Sequence, residues 1–173
     1  MKILFRPWSD EALIKPKPAV TALPQWYKDK KPLLDGDKKH KAFPNNTKNV
    51  SVKWCNPFGD ALGAGYFIFL EADVQVTPNG DAHEIVWFSG GDTFIGSHSK
   101  EQISPELIPK NYSGQPYKFN VPWAIETPKG YSVLFVHPLN RSDLPFMTLS
   151  GVVDTDTYKR PVNFPFIMQS DFE

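Results

Sequence analysis

The fold of this chain is decided by the stretch from Trp123 to Met168, which reads WAIETPKGYSVLFVHPLNRSDLPFMTLSGVVDTDTYKRPVNFPFIM. It contains two apolar runs, Tyr131–Val136 and Val162–Met168, which are rich in β-branched and aromatic residues. Both runs are too short for an ordinary helix, and prolines and glycines interrupt the sequence between them. The pattern therefore predicts short strands joined by sharp turns.

Apolar or alternating segments of the same kind occur on the N-terminal side of this stretch. They predict further short strands at Lys2–Arg6, Val50–Cys55, Tyr66–Val76 and His83–Phe88. Asn79-Gly80 is a strong signal for a tight turn, so the strands on either side of it are expected to be antiparallel neighbours. The segments Asn56–Asp60 and Asn111–Tyr117 are expected to be a turn and a loop.

Helical signals are few and short. Leu23–Asp29 fits one helical turn, and Ser99–Ile108 fits one or two, with Ser99 as the N-cap. Seventeen prolines in 173 residues are about twice the average usage, and this density is incompatible with long helices. We therefore predict an all-β single domain of residues 1–173, built as a β-sandwich, jelly roll or barrel.

Residues 1–49 differ in composition from the remainder and are predicted to form an extended, proline-rich arm on a β body of residues 50–173. Nine lysines lie between Trp8 and Asn49, and prolines break the helical pattern. Trp26 and Tyr27 are expected to anchor the arm to the body. The lysine-rich segment Lys28–Lys41 is interpreted as a solvated loop, with a phosphate-contacting patch as the alternative.

The bulk composition excludes several classes of protein. Nineteen basic and nineteen acidic side chains cancel, so no net field attracts the chain to an anionic membrane, and a nucleic-acid partner is not expected. No segment has the length of a membrane span and the N-terminus lacks a signal-peptide pattern, so we expect a soluble protein in a cytoplasm, including that of a host cell.

The histidines and the single cysteine predict neither a metal site nor a disulfide. The four histidines lack the His-x-His or His-x-Asp spacing that would place two ligands on one face of a strand, so no metal site is predicted. Cys55 is the only cysteine, which excludes an intramolecular disulfide. We expect it to be a buried, inert thiol.

Two polar clusters, Asn140–Asp143 and Asp154–Tyr158, lie between the apolar runs of the deciding stretch. Both follow short predicted strands, and the strand ends of a β-sandwich gather at its two poles. We therefore expect Arg141, Ser142, Asp154 and Asp156 to lie near one another, within one protomer or across a subunit interface. The alternative is that the aspartates accept N–H bonds in a structural turn.

Four short segments resemble motifs of the trimeric dUTPase and dCTP deaminase (β-clip) superfamily. Gly63–Tyr66 resembles the Ala-Gly-aromatic strand of the first motif, and Thr127–Tyr131 is similar to a Pro-x-Gly turn. Arg141–Leu144 resembles the Arg-Ser-x-Leu phosphate-binding motif, and Gly151–Asp156 resembles the Gly-Val-Ile-Asp-x-Asp motif. The resemblance implies a dUTPase-like barrel. A proline-rich arm with aromatic anchors commonly packs on a neighbouring subunit, so we expect a homo-oligomer, which would be a trimer if the resemblance holds.

The resemblance also implies roles for individual residues. Arg141 and Ser142 would hold phosphates, Asp154 would be the catalytic residue that orients the attacking water, and Asp156 and Tyr158 would contact the ligand. Magnesium would then be the cofactor of a nucleotide pyrophosphatase.

Phe67 departs from this pattern, because the first motif carries an aspartate at that position. The chain as a whole also resembles a group of phage and bacterial proteins with no assigned activity. Our leading hypothesis is therefore a non-catalytic, phage-type β-protein that needs no cofactor and acts by binding or assembly, as a homo-oligomer. A dUTPase-like nucleotide pyrophosphatase or nucleotide-binding protein is the alternative.

Overall fold

Short strands dominate the part of the chain that the structure describes. The structure is a computed structural model that describes residues 2–8, 14–33, 50–70, 72–79, 82–88 and 95–170. In these ranges the strands form several small sheets, and none of those sheets closes into a barrel. The all-β prediction is confirmed, while the choice between sandwich, jelly roll and barrel stays a prediction.

The strands are two to eight residues long and are numbered in chain order. They are β1 (Leu4–Pro7), β2 (Lys17–Pro18), β3 (Tyr66–Phe67), β4 (Asp73–Asn79), β5 (Ala82–Phe88), β6 (Ile95–Ser97), β7 (Tyr112–Phe119), β8 (Trp123–Glu126), β9 (Val133–Phe135), β10 (Phe146–Thr148), β11 (Gly151–Val153) and β12 (Phe164–Gln169).

Helical structure is confined to short segments. The α-helices are α1 (Gln25–Asp29) and α2 (Asn56–Leu62), and the 3-10 segments are Ala19–Ala22, Val52–Trp54, Lys100–Gln102 and Pro105–Leu107. Among the described residues, no helix has the length and apolar character required to cross a membrane.

The chain folds as two compact units. Unit 1 comprises Met1–Pro16, Ile68–His137 and Ser142–Glu173, and unit 2 comprises Lys17–Phe67 and Pro138–Arg141. Residues on both sides of position 49 therefore belong to unit 2, although the sequence places an arm before that position and the body after it. Within the predicted arm, residues 9–13 and 34–49 lie outside the described residues.

A four-stranded antiparallel sheet in the order β10-β12-β7-β6 forms the core of unit 1. Aromatic rings on its central strands pack face to face, since Phe119 on β7 and Phe166 on β12 stack with ring centroids 3.9 Å apart. Ile95, Tyr117 and Met168 are buried in the same cluster. Aromatic side chains of the two central strands are thus buried against each other across the strand pair.

The β4–β5 hairpin packs beside this core. The two strands are antiparallel, and Asn79 lies opposite Ala82, which confirms the antiparallel pairing predicted from Asn79-Gly80. Residues 80 and 81 lie outside the described residues. The strand predicted at Tyr66–Val76 is wrong as one element, because β3 pairs with β2 in unit 2 whereas β4 pairs with β5 in unit 1. One apolar run therefore supplies strands to two different sheets.

The strand predicted at Val50–Cys55 and the turn predicted at Asn56–Asp60 are wrong. The structure instead has a 3-10 helix followed by α2, and the Ser51 hydroxyl caps the first helix by accepting the Lys53 N–H. Pro57 lies in the first turn of α2, where its missing N–H costs nothing. Cys55 precedes this helix and is exposed, so the prediction that it is buried is also wrong.

The loop predicted at Asn111–Tyr117 is wrong as well, since β7 occupies most of it. Gly114 and Pro116 suggest a loop in sequence, but pairing with β6 and β12 on either side overrides that local preference. The helical predictions are confirmed by α1 and by the 3-10 segments at Lys100–Gln102 and Pro105–Leu107. Ser99 is the predicted cap, because its hydroxyl accepts the Glu101 N–H.

In unit 2, residues 26–32 contact residues 51–59. The Ser51 N–H and hydroxyl donate to the carbonyls of Pro32 and Lys31, at 3.0 and 2.6 Å. Tyr27 and Trp26 pack against Phe58, with ring centroids 6.1 and 6.4 Å apart, which confirms that these aromatics anchor the N-terminal segment. A Cβ at Gly59 would lie 2.6 Å from the Tyr27 hydroxyl, so a larger residue there would require the Tyr27 side chain to shift.

Candidate functional site

The polar cluster Asp154–Tyr158 is positioned by the pairing of β9 with β11. These strands are antiparallel, and Val133, Leu134 and Phe135 lie opposite Val153, Val152 and Gly151. Continuing this register beyond the strands places Asp154 beside Ser132 and Asp156 beside Gly130. The cluster therefore faces the turn at residues 127–132.

Both aspartates hold that turn through their carboxylates. The Ser132 hydroxyl donates to Asp154 Oδ1 at 2.6 Å, and the Gly130 N–H donates to Asp156 Oδ2 at 2.8 Å. Gly130 has a φ of 84°, a left-handed conformation that glycine adopts without steric cost. The turn thus presents its N–H to Asp156 because a glycine occupies this position.

A hydrogen bond between two threonine side chains also connects the turn at residues 127–132 to the cluster. Thr155 is fully buried, and its hydroxyl oxygen lies 2.8 Å from that of Thr127. Thr127 Oγ1 also donates to the Tyr131 carbonyl at 2.8 Å. A hydroxyl has one proton to donate, so Thr155 is the donor in the threonine pair.

The backbone of the cluster forms a turn closed on the Asp154 carbonyl. The N–H groups of Thr157 and Tyr158 donate to this oxygen at 3.0 and 2.8 Å. The Tyr158 hydroxyl donates to the Pro161 carbonyl at 3.4 Å, while its side chain stays 44% exposed. Lys159 Nζ donates to the Thr155 carbonyl at 3.3 Å, so most polar groups of the cluster have local structural partners.

The remaining predicted site residues, Arg141 and Ser142, lie in the segment between β9 and β10. Ser142 is exposed in a different loop of unit 1, whereas Arg141 belongs to unit 2. The Arg141 N–H donates to the Pro138 carbonyl at 3.2 Å in a tight turn. Asn140, with a φ of 58°, donates from its side-chain amide to the Phe58 carbonyl at 3.4 Å.

The structure therefore brings Asp154, Asp156 and Tyr158 together on one turn. That Arg141 and Ser142 lie beside them stays a prediction. Within the described ranges, no group of three histidine, cysteine or acidic side chains is placed to hold a metal ion.

The sequence prediction missed two apolar residues on the outer face of the strand pair. Leu134 and Val152 lie directly opposite each other and are 63% and 67% exposed. Their neighbours Phe135 and Val153 are also apolar, so the sequence has no alternation that would distinguish the buried face from the exposed one. Only the register of β9 against β11 reveals the pair.

Comparison with protein-family models, with curated proteins and with solved structures finds no match to this chain.

Proposed function

We propose that this chain is a non-catalytic β-protein of phage type that acts by assembly, and that it binds a second copy of itself through the outer face and free edges of the β9–β11 pair. The observation that carries the proposal is the exposed, directly paired Leu134 and Val152.

The apolar pair is unusual for a protein surface. Single exposed apolar residues are ordinary, but here two large ones lie side by side on adjacent strands and each exposes more than half of its side chain. Tyr131 and Tyr158, in the turns beside the strand pair, are 51% and 44% exposed. Tyrosine is enriched at protein interfaces, and burying apolar area yields about 25 cal/mol per Å².

The strand edges offer the second means of association. In the described part of the chain, β9 and β11 pair only with each other, so each has an outer edge without a strand beside it. A two-stranded sheet alone is marginally stable, and an exposed edge is a template for another chain. A second copy presents the same edges, so a symmetric contact can use one surface twice.

The surface is held in shape before it binds. The hydrogen bonds of Asp154 and Asp156 to Ser132 and Gly130 connect the turns at the end of the strand pair. A pre-ordered surface loses less conformational entropy on association than a flexible one. The polar cluster thereby contributes to assembly without catalysing a reaction.

Sedimentation velocity of the full chain, over a series of concentrations, tests the proposal. We expect a mass that is a multiple of the 19.6 kDa protomer. The double variant Leu134→Ser, Val152→Ser is expected to shift the protein to a single protomer while its circular dichroism stays unchanged.

The matched control is Leu107→Ser, because Leu107 is 58% exposed in the same unit but lies on a 3-10 segment. This control should assemble like the wild type. A wild type that sediments as one protomer at every concentration, or a folded double variant that assembles normally, contradicts the proposal.

A further inference from the structure

The two units carry opposite charge, although the chain as a whole is neutral. The ranges of unit 2 contain ten basic and four acidic residues, and those of unit 1 contain nine basic and fifteen acidic residues. The expectation against a nucleic-acid partner depends on the whole-chain balance, which conceals this division. Unit 2 by itself has the charge of a polyanion-binding module.

Unit 2 also presents two exposed indoles on a rigid support. Trp26 is 38% and Trp54 is 49% exposed. The Trp26 ring makes edge contacts with Tyr27 and Phe58 at 5.8 and 6.4 Å. Trp54 ends the 3-10 segment Val52–Trp54, and the preceding Lys53 contacts the Tyr27 ring of the same aromatic cluster. Much of the surface of both indoles stays accessible.

Lysines are interleaved with these aromatic side chains. Lys53 Nζ lies 4.6 Å from the centroid of the Tyr27 ring and donates to the Lys28 carbonyl at 3.4 Å, so one cation is held between the two helical segments. Lys28 and Lys30 follow Trp26 closely and are exposed. Among the described residues, neither of them forms an ion pair.

Alternating cations and accessible aromatic rings are the features that recognise single-stranded nucleic acid. Lysines neutralise the phosphates, and each aromatic ring can stack on an unpaired base of any sequence. A duplex keeps its bases inside the helix, and an acidic peptide has no rings to stack, so neither of these partners uses the indoles. We infer that unit 2 binds single-stranded nucleic acid, with Trp26 and Trp54 stacking on bases and Lys28, Lys30 and Lys53 contacting phosphates.

Fluorescence anisotropy of a labelled oligothymidylate, about twenty nucleotides long so that it exceeds the site of one small module, tests the inference. The Leu134→Ser, Val152→Ser variant, which lacks the proposed assembly surface, should bind the oligonucleotide as the wild type does if the two surfaces are independent. We expect the logarithm of the affinity to fall with the logarithm of salt concentration with a slope of about −2, since each of three phosphate contacts contributes about −0.7.

Substitutions separate stacking from charge. Trp54→Ala should weaken binding about 5- to 150-fold, the range that loss of one stacked base gives, and Trp54→Tyr should restore most of it because a phenol ring also stacks. Lys28→Ala and Lys30→Ala should each reduce the salt slope by about 0.7. At position 26 the variant is Trp26→Phe and not Trp26→Ala, because the edge contacts of the Trp26 ring also support the fold.

The controls come from unit 1. Trp8 is 60% exposed there, and Lys110 is also exposed, so Trp8→Ala and Lys110→Ala should leave binding unchanged. Absence of binding by the wild type at low salt, or equal losses in Trp8→Ala and Trp54→Ala, overturns the inference. Unlabelled oligothymidylate should compete better than polyglutamate or duplex DNA does. Equal competition by either of these would mean that the surface recognises charge alone, and it would also overturn the inference.

Discussion

Among single residues, Tyr117 makes the contact that secures the β4–β5 hairpin to the core of unit 1. The His83 N–H donates to the Tyr117 hydroxyl at 2.8 Å, and this hydroxyl donates to the His83 carbonyl at 2.9 Å. Both residues are buried, and burial raises the pKa of Tyr117. One hydroxyl thus satisfies two buried backbone groups that have to be paired.

Tyr117→Phe should therefore be costly although it removes a single oxygen atom. It leaves the N–H and the carbonyl of His83 without this partner, and we expect a loss of about 2–4 kcal/mol in the free energy of unfolding. Urea unfolding measures this loss. The control is Tyr131→Phe, half-exposed, which should change stability by less than about 0.5 kcal/mol; similar values for both variants would contradict the role given to Tyr117.

His83 makes stability depend on pH. Burial lowers the pKa of His83, and a hydrogen bond with the Gln169 backbone only partly opposes this effect. The unfolded chain then binds more protons than the folded one just below the ordinary histidine pKa of about 6.5. Stability should therefore rise with pH through this window, be complete above it, and be lost as the pH falls towards the lowered pKa.

Thermal unfolding at about pH 7.5 and pH 5.5, on either side of the ordinary histidine pKa, tests this dependence. The melting temperature of the wild type should fall at the lower pH by more than that of His83→Leu. An equal fall in the two proteins would show that other groups cause the dependence.

At the scale of elements, the turn at residues 127–132 depends on the cluster across from it. Gly130→Ala places a side chain at a φ of 84° and should cost about 1–2 kcal/mol. Asp156→Ala removes the acceptor of the Gly130 N–H, which is an exposed bond, and should cost about 1 kcal/mol. Because the two residues share one contact, the double variant should lose less than the sum of the two costs.

Urea unfolding of the four proteins measures this coupling, with Lys129→Ala in the same turn as the control. Lys129 is exposed, so its replacement should change little. If Asp156→Ala is as stable as Lys129→Ala, the carboxylate does not hold the turn.

Local sequence signals predicted the elements that depend on local chemistry. The pairing of β4 with β5, the Ser99 cap and the strands at the two apolar runs all follow from short-range patterns. β7 escaped prediction because Gly114 and Pro116 are tolerated there only through pairing with two neighbouring strands. The helix at Asn56–Leu62 escaped because the preceding alternation was too short to decide between strand and helix.

The candidate site was predictable in part for the same reason. Asp154 and Asp156 lie in a turn, which was the structural alternative for this cluster, and Asp156 accepts a backbone N–H there. The partners Ser132 and Gly130 lie more than twenty residues away in the chain. They become neighbours only through the register of β9 against β11, which no local pattern determines.

At the scale of the whole molecule, the two proposed binding surfaces differ in chemistry. The strand pair of unit 1 presents exposed apolar residues, and unit 2 presents exposed lysines and indoles. The proposed assembly and the proposed nucleic-acid binding can therefore be tested separately, with different variants. In both proposals the polar cluster of unit 1 has a structural role.

We therefore propose that Asp154 fastens a turn and does not activate water. Release of pyrophosphate from dUTP, dCTP and dATP in the presence of Mg²⁺, compared between the wild type and Asp154→Asn, tests this claim most directly. We predict that neither protein releases pyrophosphate above the uncatalysed background. Turnover by the wild type at about 1 per second or more, within the usual enzyme range, and its loss in Asp154→Asn would contradict the claim and favour a nucleotide pyrophosphatase.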